Sequence, residues 1–238
     1  MKHPLPARPS LGSHDGLAYA LFLPAGEPLA GVVICHGAGS AKESHFDFAR
    51  VAQDRGLAAL AYDARGHGRS EGALGPGLVE DALAMCDVMS SHAPAVALRG
   101  SSLGGFTALM AAAGAGGAVR AVVALCPAPP AGLARALRSE TLEGFRADRE
   151  ALEPWLDAVD LREAVASLGP AGTALLLMHA RGDEQVPYTV SEELYEAASE
   201  PKRLLLVPGG HHRSLQHDGE MQNEALRFVE RAVRSREA

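Results

Sequence analysis

Short apolar runs alternate with longer amphipathic stretches along most of the chain. Seven of these runs have the length of strands and contain few polar residues, a pattern typical of strands buried on both faces of a sheet. They cover residues 17–23, 30–36, 57–63, 95–99, 120–126, 173–179 and 202–208.

Helical periodicity fills the intervals between these runs. The predicted helices cover residues 44–55, 78–90, 104–115, 190–199 and 220–233. Strands that alternate with helices predict a doubly wound, mostly parallel sheet with helices on both faces, which is an α/β fold. Since 238 residues suit one such domain, we expect a single domain over 1–238.

One segment, residues 127–170, interrupts this alternation because it contains no strand pattern and is too long for an ordinary connection. We predict that it forms a short helical lid over a site at the carboxyl ends of the strands. Its apolar residues Leu142, Phe145, Trp155 and Leu156 are the candidates for the substrate pocket. A surface decoration and a dimer interface are the alternatives, and the oligomeric state stays open.

Composition narrows the class of protein. A hydrophobic fraction of 47% is enough for a large core, and a net charge of −7 argues against a nucleic-acid or anionic membrane partner. Neither a signal-peptide pattern nor a membrane-spanning run is visible, so we expect a cytoplasmic protein. Cys35, Cys86 and Cys126 lie in apolar or helical patterns, and we expect three buried, reduced thiols.

The pattern G-x-S-x-G occurs twice, around Ser70 and around Ser102, so the motif alone does not identify a nucleophile. A nucleophile elbow needs a strand before the serine and a helix after it. Ser102 has both, whereas Ser70 lies between two glycine-rich loops. Ser101 is one residue from the apex, so its side chain should point elsewhere. An ordinary helix N-cap is the alternative for Ser102.

A serine nucleophile needs a base and a group that orients the base. Asp183 follows the strand predicted at 173–179, and His211 and His212 follow the strand predicted at 202–208. All three therefore belong at the same edge of the sheet as Ser102. An Asx turn or a helix cap is the alternative for Asp183.

With these residues in the order serine, aspartate, histidine, the chain resembles the α/β-hydrolases, including serine esterases and dienelactone-hydrolase-like enzymes. The stretches 36–39 (HGAG) and 63–70 (DARGHGRS) are similar to the family's oxyanion loop and to the turn after its fourth strand.

The resemblance implies roles for residues at each of these positions. Ser102 would be the nucleophile, Asp183 the acid and His212, in preference to His211, the base. The backbone N–H groups of Ala38 and Leu103 would form the oxyanion hole. His36 and His67 would stabilise turns, and His179 is more typical of a core histidine.

The function expected from this resemblance is that of a carboxylesterase-like serine hydrolase. It would cleave small carboxylic esters through an acyl-enzyme, with a small-molecule ester as its partner and with neither a cofactor nor a metal. A lactonase, thioesterase or peptidase on the same triad is the nearest alternative, and a non-catalytic binding protein is a more distant one. Serine at the elbow disfavours dehalogenases and epoxide hydrolases, which place aspartate there.

Overall fold

Eight strands form one twisted sheet in the computed structural model, which describes residues 8–139, 141 and 143–235. The strands are β1 (Ser10–His14), β2 (Leu17–Phe22), β3 (Gly31–Cys35), β4 (Ala58–Tyr62), β5 (Val96–Ser101), β6 (Val119–Leu125), β7 (Ala174–Ala180) and β8 (Lys202–Val207). Their order is β1-β2-β4-β3-β5-β6-β7-β8. Strands β3 to β8 are parallel and β1 and β2 are antiparallel, which confirms the predicted fold class.

The seven predicted strands are confirmed as β2 to β8, and β1 was missed. Strand β1 has the sequence SLGSH, and four of its five residues are exposed, so it carries no apolar pattern. It pairs with β2, and the turn that connects the two strands consists of Asp15 and Gly16, which both have a positive φ (50° and 77°). An Asp-Gly pair is a strong hairpin signal and could have revealed this edge strand.

Helices cover both faces of the sheet. They are α1 (Phe46–Asp54), α2 (Leu78–Ser90), α3 (Leu103–Gly114), α4 (Pro130–Arg138), α5 (Arg149–Ala158), α6 (Leu161–Ala171), α7 (Thr189–Ala197), α8 (Ser214–His217) and α9 (Gly219–Arg234). Helices α2, α3, α6 and α7 bury apolar residues against one face, and α1, α8 and α9 against the other. The central strands are therefore enclosed on both sides, as their apolar sequences require.

The segment after β6 contains α4, α5 and α6. Helix α6 packs against α3 with Leu161, Val165 and Leu168 in the core, so it is the crossover helix that returns the chain to β7. Helices α4 and α5 pack on each other. This leaves α4, α5 and the loop between them as the part of 127–170 that can act as a lid.

No helix in the described part of the chain is long and apolar enough to cross a membrane. Cys35, Cys86 and Cys126 are buried free thiols, as predicted.

Candidate active site

Ser102 lies at a sharp turn between β5 and α3, with φ 54° and ψ −119°. Backbone in this region is rare for a residue other than glycine and marks a strained position. The turn also requires Gly100 and Gly104, since a Cβ on Gly100 would lie 1.9 Å from the carbonyl oxygen of Gly104. A Cβ on Gly104 would lie 2.1 Å from the carbonyl oxygen of Cys35. The turn therefore has the strand-turn-helix geometry that a nucleophile elbow requires.

The other two candidate serines use their hydroxyl groups to hold the structure. The buried Ser101 donates from Oγ to Oε1 of Gln216 at 2.9 Å. The buried Ser70 accepts from the N–H of Ala18 at 2.9 Å and donates to the carbonyl oxygen of Asp63 at 2.5 Å. Ser102 is half-buried and faces a cavity, which makes it the candidate nucleophile.

Asp183 and His212 are in direct contact, although 29 positions separate them. Nδ1 of His212 lies 2.7 Å from Oδ2 of Asp183, and the carboxylate is fully buried. Its other oxygen accepts the N–H groups of Gln185 and Val186, both at 2.9 Å.

Burial alone would raise the pKa of Asp183. Hydrogen bonds from His179, His212 and these two N–H groups outweigh burial and lower that pKa well below its ordinary value. The carboxylate therefore stays ionised across the neutral pH range.

A second histidine, His179, supports the same carboxylate. It is fully buried, and its Nε2 lies 3.3 Å from Oδ2 of Asp183 and 3.0 Å from the carbonyl oxygen of Val186. Because a carbonyl can only accept, Nε2 must carry the proton, and Nδ1 then accepts from Ser191 Oγ at 2.7 Å. Sequence reasoning identified His179 as a core residue but missed this contact. Its position four residues before Asp183 is the one local signal.

His211 faces away from the cavity. Its side chain is exposed, and its Nδ1 accepts the N–H of Arg213 at 3.3 Å. Its backbone N–H and carbonyl both bond the hydroxyl of Ser214. Of the two neighbouring histidines, His212 is the one that contacts Asp183, in agreement with the preference for His212 over His211.

The cavity at Ser102 has a volume of about 140 Å³. It is lined by Gly37, Ala38, Ser40, Ser44, Ser101, Ser102, Gln185, His212, Arg213, Gln216 and His217. Ala38 lies in a turn closed by the N–H of Ser40 on the carbonyl oxygen of Gly37 at 3.2 Å. Leu103 is the first residue of α3, so its N–H has no acceptor within the helix.

Two buried imidazoles hold the loop that carries Ala38. Nε2 of His36 accepts the N–H of Ala64 at 2.9 Å, and Nε2 of His67 accepts the N–H of Gly39 at 3.2 Å. Each ring must therefore be neutral. Burial lowers the pKa of His36 and lowers the pKa of His67 to about 4, which keeps both rings in this state.

We predict that His67 makes the protein sensitive to acid. A histidine whose folded-state pKa is about 4 instead of 6.5 binds its proton more readily when unfolded. Stability is then complete above pH 6.5 and falls as the pH drops towards 4, by about 3 kcal/mol for this group. Urea unfolding of the wild type and His67→Asn should show a difference in unfolding free energy that shrinks by this amount over that interval.

The control for this prediction is His211→Asn, because His211 is exposed. Its unfolding free energy should follow the wild type at every pH. A constant difference between the wild type and His67→Asn from pH 7 to pH 4 would contradict the prediction.

The three lid candidates that the structure describes, Phe145, Trp155 and Leu156, are not among the residues that line the cavity. Phe145 stacks on His67 with ring centroids 4.2 Å apart, and Trp155 meets the edge of Phe106 at 5.8 Å. Leu156 is buried in the core, and Leu142 lies outside the described residues. Phe145 therefore packs on the histidine that bonds the loop of Ala38, Trp155 packs on α3, and neither lines the cavity.

Trp155 also lines a separate groove of about 480 Å³ together with Val79 and Met110.

One cluster within the described residues has the composition of a metal site. The ligand atoms of Cys126, His179 and Asp183 lie within 4.8 Å of one another. Both nitrogens of His179 are already hydrogen-bonded, and burial raises the pKa of the Cys126 thiol to about 12. Metal binding requires a thiolate and a free imidazole nitrogen, so this cluster is better described as the hydrogen-bonded support of Asp183.

Comparisons with known proteins agree with this fold. The family model described as serine aminopeptidase, S33, matches residues 26–143. Rv2307c of Mycobacterium tuberculosis (strain ATCC 25618 / H37Rv) is 32% identical over 206 residues, covering 82% of this chain and 68% of that protein. YfhR of Escherichia coli (strain K12) is 28% identical over 196 residues, covering 79% of this chain. The chain spans only 65% of YfhR's length.

A solved structure has the same fold. The esterase domain from a Rhodothermus marinus protein superposes with a TM-score of 0.69 and 25% identity, covering 92% of each chain. The chain belongs to the α/β-hydrolase superfamily, and its similarities support a hydrolase in general.

Proposed function

We propose that the protein is a carboxylesterase-like serine hydrolase that cleaves small carboxylic esters through an acyl-enzyme. The observation that carries this proposal is the 2.7 Å contact between Asp183 and His212, which line up beside the cavity that Ser102 faces. A serine at an elbow, a histidine and an ionised carboxylate are the three groups that acyl transfer requires.

The first step is the attack of Ser102 on the ester carbonyl. Nδ1–H of His212 donates to Asp183, so Nε2 carries the lone pair that accepts the serine proton. Asp183 stabilises the imidazolium that forms, and the low pKa of its carboxyl keeps the negative charge in place. His212 then gives its proton to the departing alcohol.

The oxyanion of the tetrahedral intermediate needs donors on the opposite side. We assign this role to the backbone N–H groups of Ala38 and Leu103, each worth roughly 3 kcal/mol in the transition state. The N-terminus of α3 adds a favourable dipole. In the second half of the reaction, His212 activates a water molecule that releases the acid and restores Ser102.

The cavity argues for an ester substrate over a peptide with a free amino terminus. An aminopeptidase must bind a protonated α-amino group, for which carboxylates are the natural partners. None of the cavity-lining residues in the described part of the chain is Asp or Glu. The description of the matching family model is therefore not carried over to this chain.

We further propose that α4, α5 and their connecting loop form the lid of this single domain. The N–H of Arg146 donates to the carbonyl oxygen of Gly66, in the loop after β4, at 3.1 Å, and a Cβ on Gly39, in the loop after β3, would lie 2.7 Å from the carbonyl oxygen of Glu143. These close approaches support a lid at the rim where Ser102 lies. Three buried free cysteines are compatible with the cytoplasmic location proposed for the enzyme.

Labelling with a fluorophosphonate probe at neutral pH tests the proposed function. The probe should attach to Ser102, as located by mass spectrometry, and p-nitrophenyl acetate should be turned over faster than esters of long-chain acids because the cavity is small. Protein unfolded in urea serves as the control and should stay unlabelled. An inert Ser102 in the folded protein would instead identify a binding protein on a hydrolase fold.

A further inference from the structure

The lining of the catalytic cavity carries information about the substrate. Among the described residues that line it, the only apolar side chain is the methyl group of Ala38, and the remaining side chains are hydroxyls, amides, imidazoles and one guanidinium. Pockets for apolar acyl chains are lined mainly by hydrophobic and aromatic residues. A cavity with this lining and a volume of about 140 Å³ instead suits a short, polar acyl group.

Building on the proposed function, we propose that the acyl group carries a second, free carboxylate, which Arg213 binds at the mouth of the cavity. The substrates would then be half-esters of short dicarboxylic acids. Arg213 has the chemistry for this role because guanidinium binds carboxylate through two parallel hydrogen bonds.

The guanidinium of Arg213 is available for such a ligand. Arg213 directly follows the catalytic candidate His212, and its backbone N–H is used by His211. Its exposed side chain forms no ion pair with any residue that the structure describes, in contrast to Arg55 and Arg203, which pair with Glu230 and Glu224. An unpaired cation is therefore available where a substrate anion would enter.

A second positive charge lies behind the cavity wall. Arg99 is 1% exposed, and its guanidinium donates to the carbonyl oxygen of Gln216 at 3.2 Å. The same group lies 3.1 Å from Nδ1 of His45 and stacks over the ring of Phe48. Its Nε has no hydrogen-bond partner among the described residues, and the carboxylate whose charge acts on the guanidinium is that of Asp47. Burial lowers the pKa of Arg99 to about 10, so it is still a cation at neutral pH.

The acidic groups near the cavity are not among its described lining residues. Oδ2 of Asp47 accepts from Nδ1 of His217 and from the side-chain amide of Gln222, both at 2.8 Å, whereas Oδ1 has no hydrogen-bond partner among the described residues. Asp183 is enclosed behind His212. Glu184 accepts the backbone N–H of His212 at 3.2 Å, outside the lining. Among the described residues that line the cavity, Arg213 is the one with a permanent charge, and this charge is positive, which favours an anionic substrate group.

The test compares two esters of five-carbon acids that differ only in the terminal group, which is a carboxylate in one and a methyl in the other. Hydrolysis of monoethyl glutarate and ethyl pentanoate, followed by pH-stat, gives a ratio of kcat/KM values. We expect monoethyl glutarate to be preferred by about tenfold or more, the effect of one charge-assisted hydrogen bond. Raising the salt concentration should reduce the preference, since the mouth of the cavity is exposed to solvent.

Substitutions at Arg213 provide the decisive comparison. Arg213→Gln should reduce the ratio towards one, and Arg213→Lys should retain part of it. The matched control is Arg181→Gln, which removes an exposed arginine that lies over Tyr188 on the neighbouring loop and does not line the cavity. This control should keep the wild-type ratio. Because the result is a ratio of kcat/KM values for two esters, a general loss of activity in a variant lowers both values and leaves the ratio unchanged.

Two kinds of failure can be distinguished. Turnover of both esters without preference, or a ratio that survives in Arg213→Gln, would overturn the assignment of an anionic substrate and leave the serine hydrolase intact. Inertness towards both esters together with an unlabelled Ser102 would overturn the proposed function itself.

Discussion

Replacing Ser102 with alanine should lower kcat/KM for p-nitrophenyl acetate by roughly 10⁵-fold, because the acyl-enzyme cannot form without the nucleophile. Any remaining turnover would come from the oxyanion donors and from substrate binding alone. The fold should persist, since the backbone conformation of the elbow is enforced by Gly100 and Gly104 and does not depend on the serine hydroxyl. Initial rates and the midpoint of urea unfolding measure the two effects separately.

Ser70→Ala is the matched control, because Ser70 occupies the centre of the second G-x-S-x-G sequence. Its hydroxyl joins Ala18 to Asp63 inside the protein, so its loss should cost about 1 kcal/mol of stability while the kcat/KM of the folded enzyme is unchanged. If Ser102→Ala kept its activity and Ser70→Ala lost it, the catalytic roles of the two motifs would be reversed.

Seven strands and the elbow could be predicted from the sequence because their causes are local. A continuous apolar run identifies a strand with both faces buried, and the spacing of Gly100, Ser102 and Gly104 identifies the turn from steric requirements alone. The positions of Asp183 and His212 followed from the topology, because parallel strands present their carboxyl ends at one edge.

The supports of the site depend on contacts between residues far apart in sequence, and the sequence does not reveal them. In the sequence, Arg99 has the pattern of a polar residue at the end of an apolar strand. In the structure it donates a hydrogen bond to the carbonyl oxygen of Gln216, which lies 117 positions away. Ser101 holds the same residue through its side chain. These two contacts attach the segment after His212 to β5, the strand that leads into Ser102.

The lid prediction shows a different limit. Apolar residues in 127–170 indicate burial, but they do not indicate what covers them. The structure distributes them between the core, as with Leu161, and contacts behind the oxyanion loop, as with Phe145 on His67. Composition could not separate a crossover helix from a lid helix, because both present one apolar face to the same domain.

The second large effect is expected from Asp63→Asn, which should destabilise the protein by about 3–5 kcal/mol. Asp63 is fully buried at the end of β4, with Lys42 Nζ at 2.6 Å and the N–H groups of Lys42 and Arg69 at 2.8 and 2.9 Å. The substitution leaves a buried ammonium group whose remaining ionic contact is Glu43 at the surface. Urea unfolding at pH 7 measures the loss. The control is Asp157→Asn, which breaks an exposed ion pair with Arg138 and should leave the unfolding midpoint unchanged.

The dependence of this difference on pH separates charge from packing. Burial opposes ionisation of Asp63, but hydrogen bonds from Arg69 and Lys42 outweigh it and lower its pKa below 3.8. A carboxyl with a depressed pKa stabilises the fold above its unfolded value, and this contribution disappears as the pH falls through the folded value. The gap between the wild type and Asp63→Asn should therefore narrow on acidification below 3.8. A difference in unfolding free energy that is the same at every pH would show that the asparagine amide destabilises the fold by its packing. The ion pair would then not be the source of the stability.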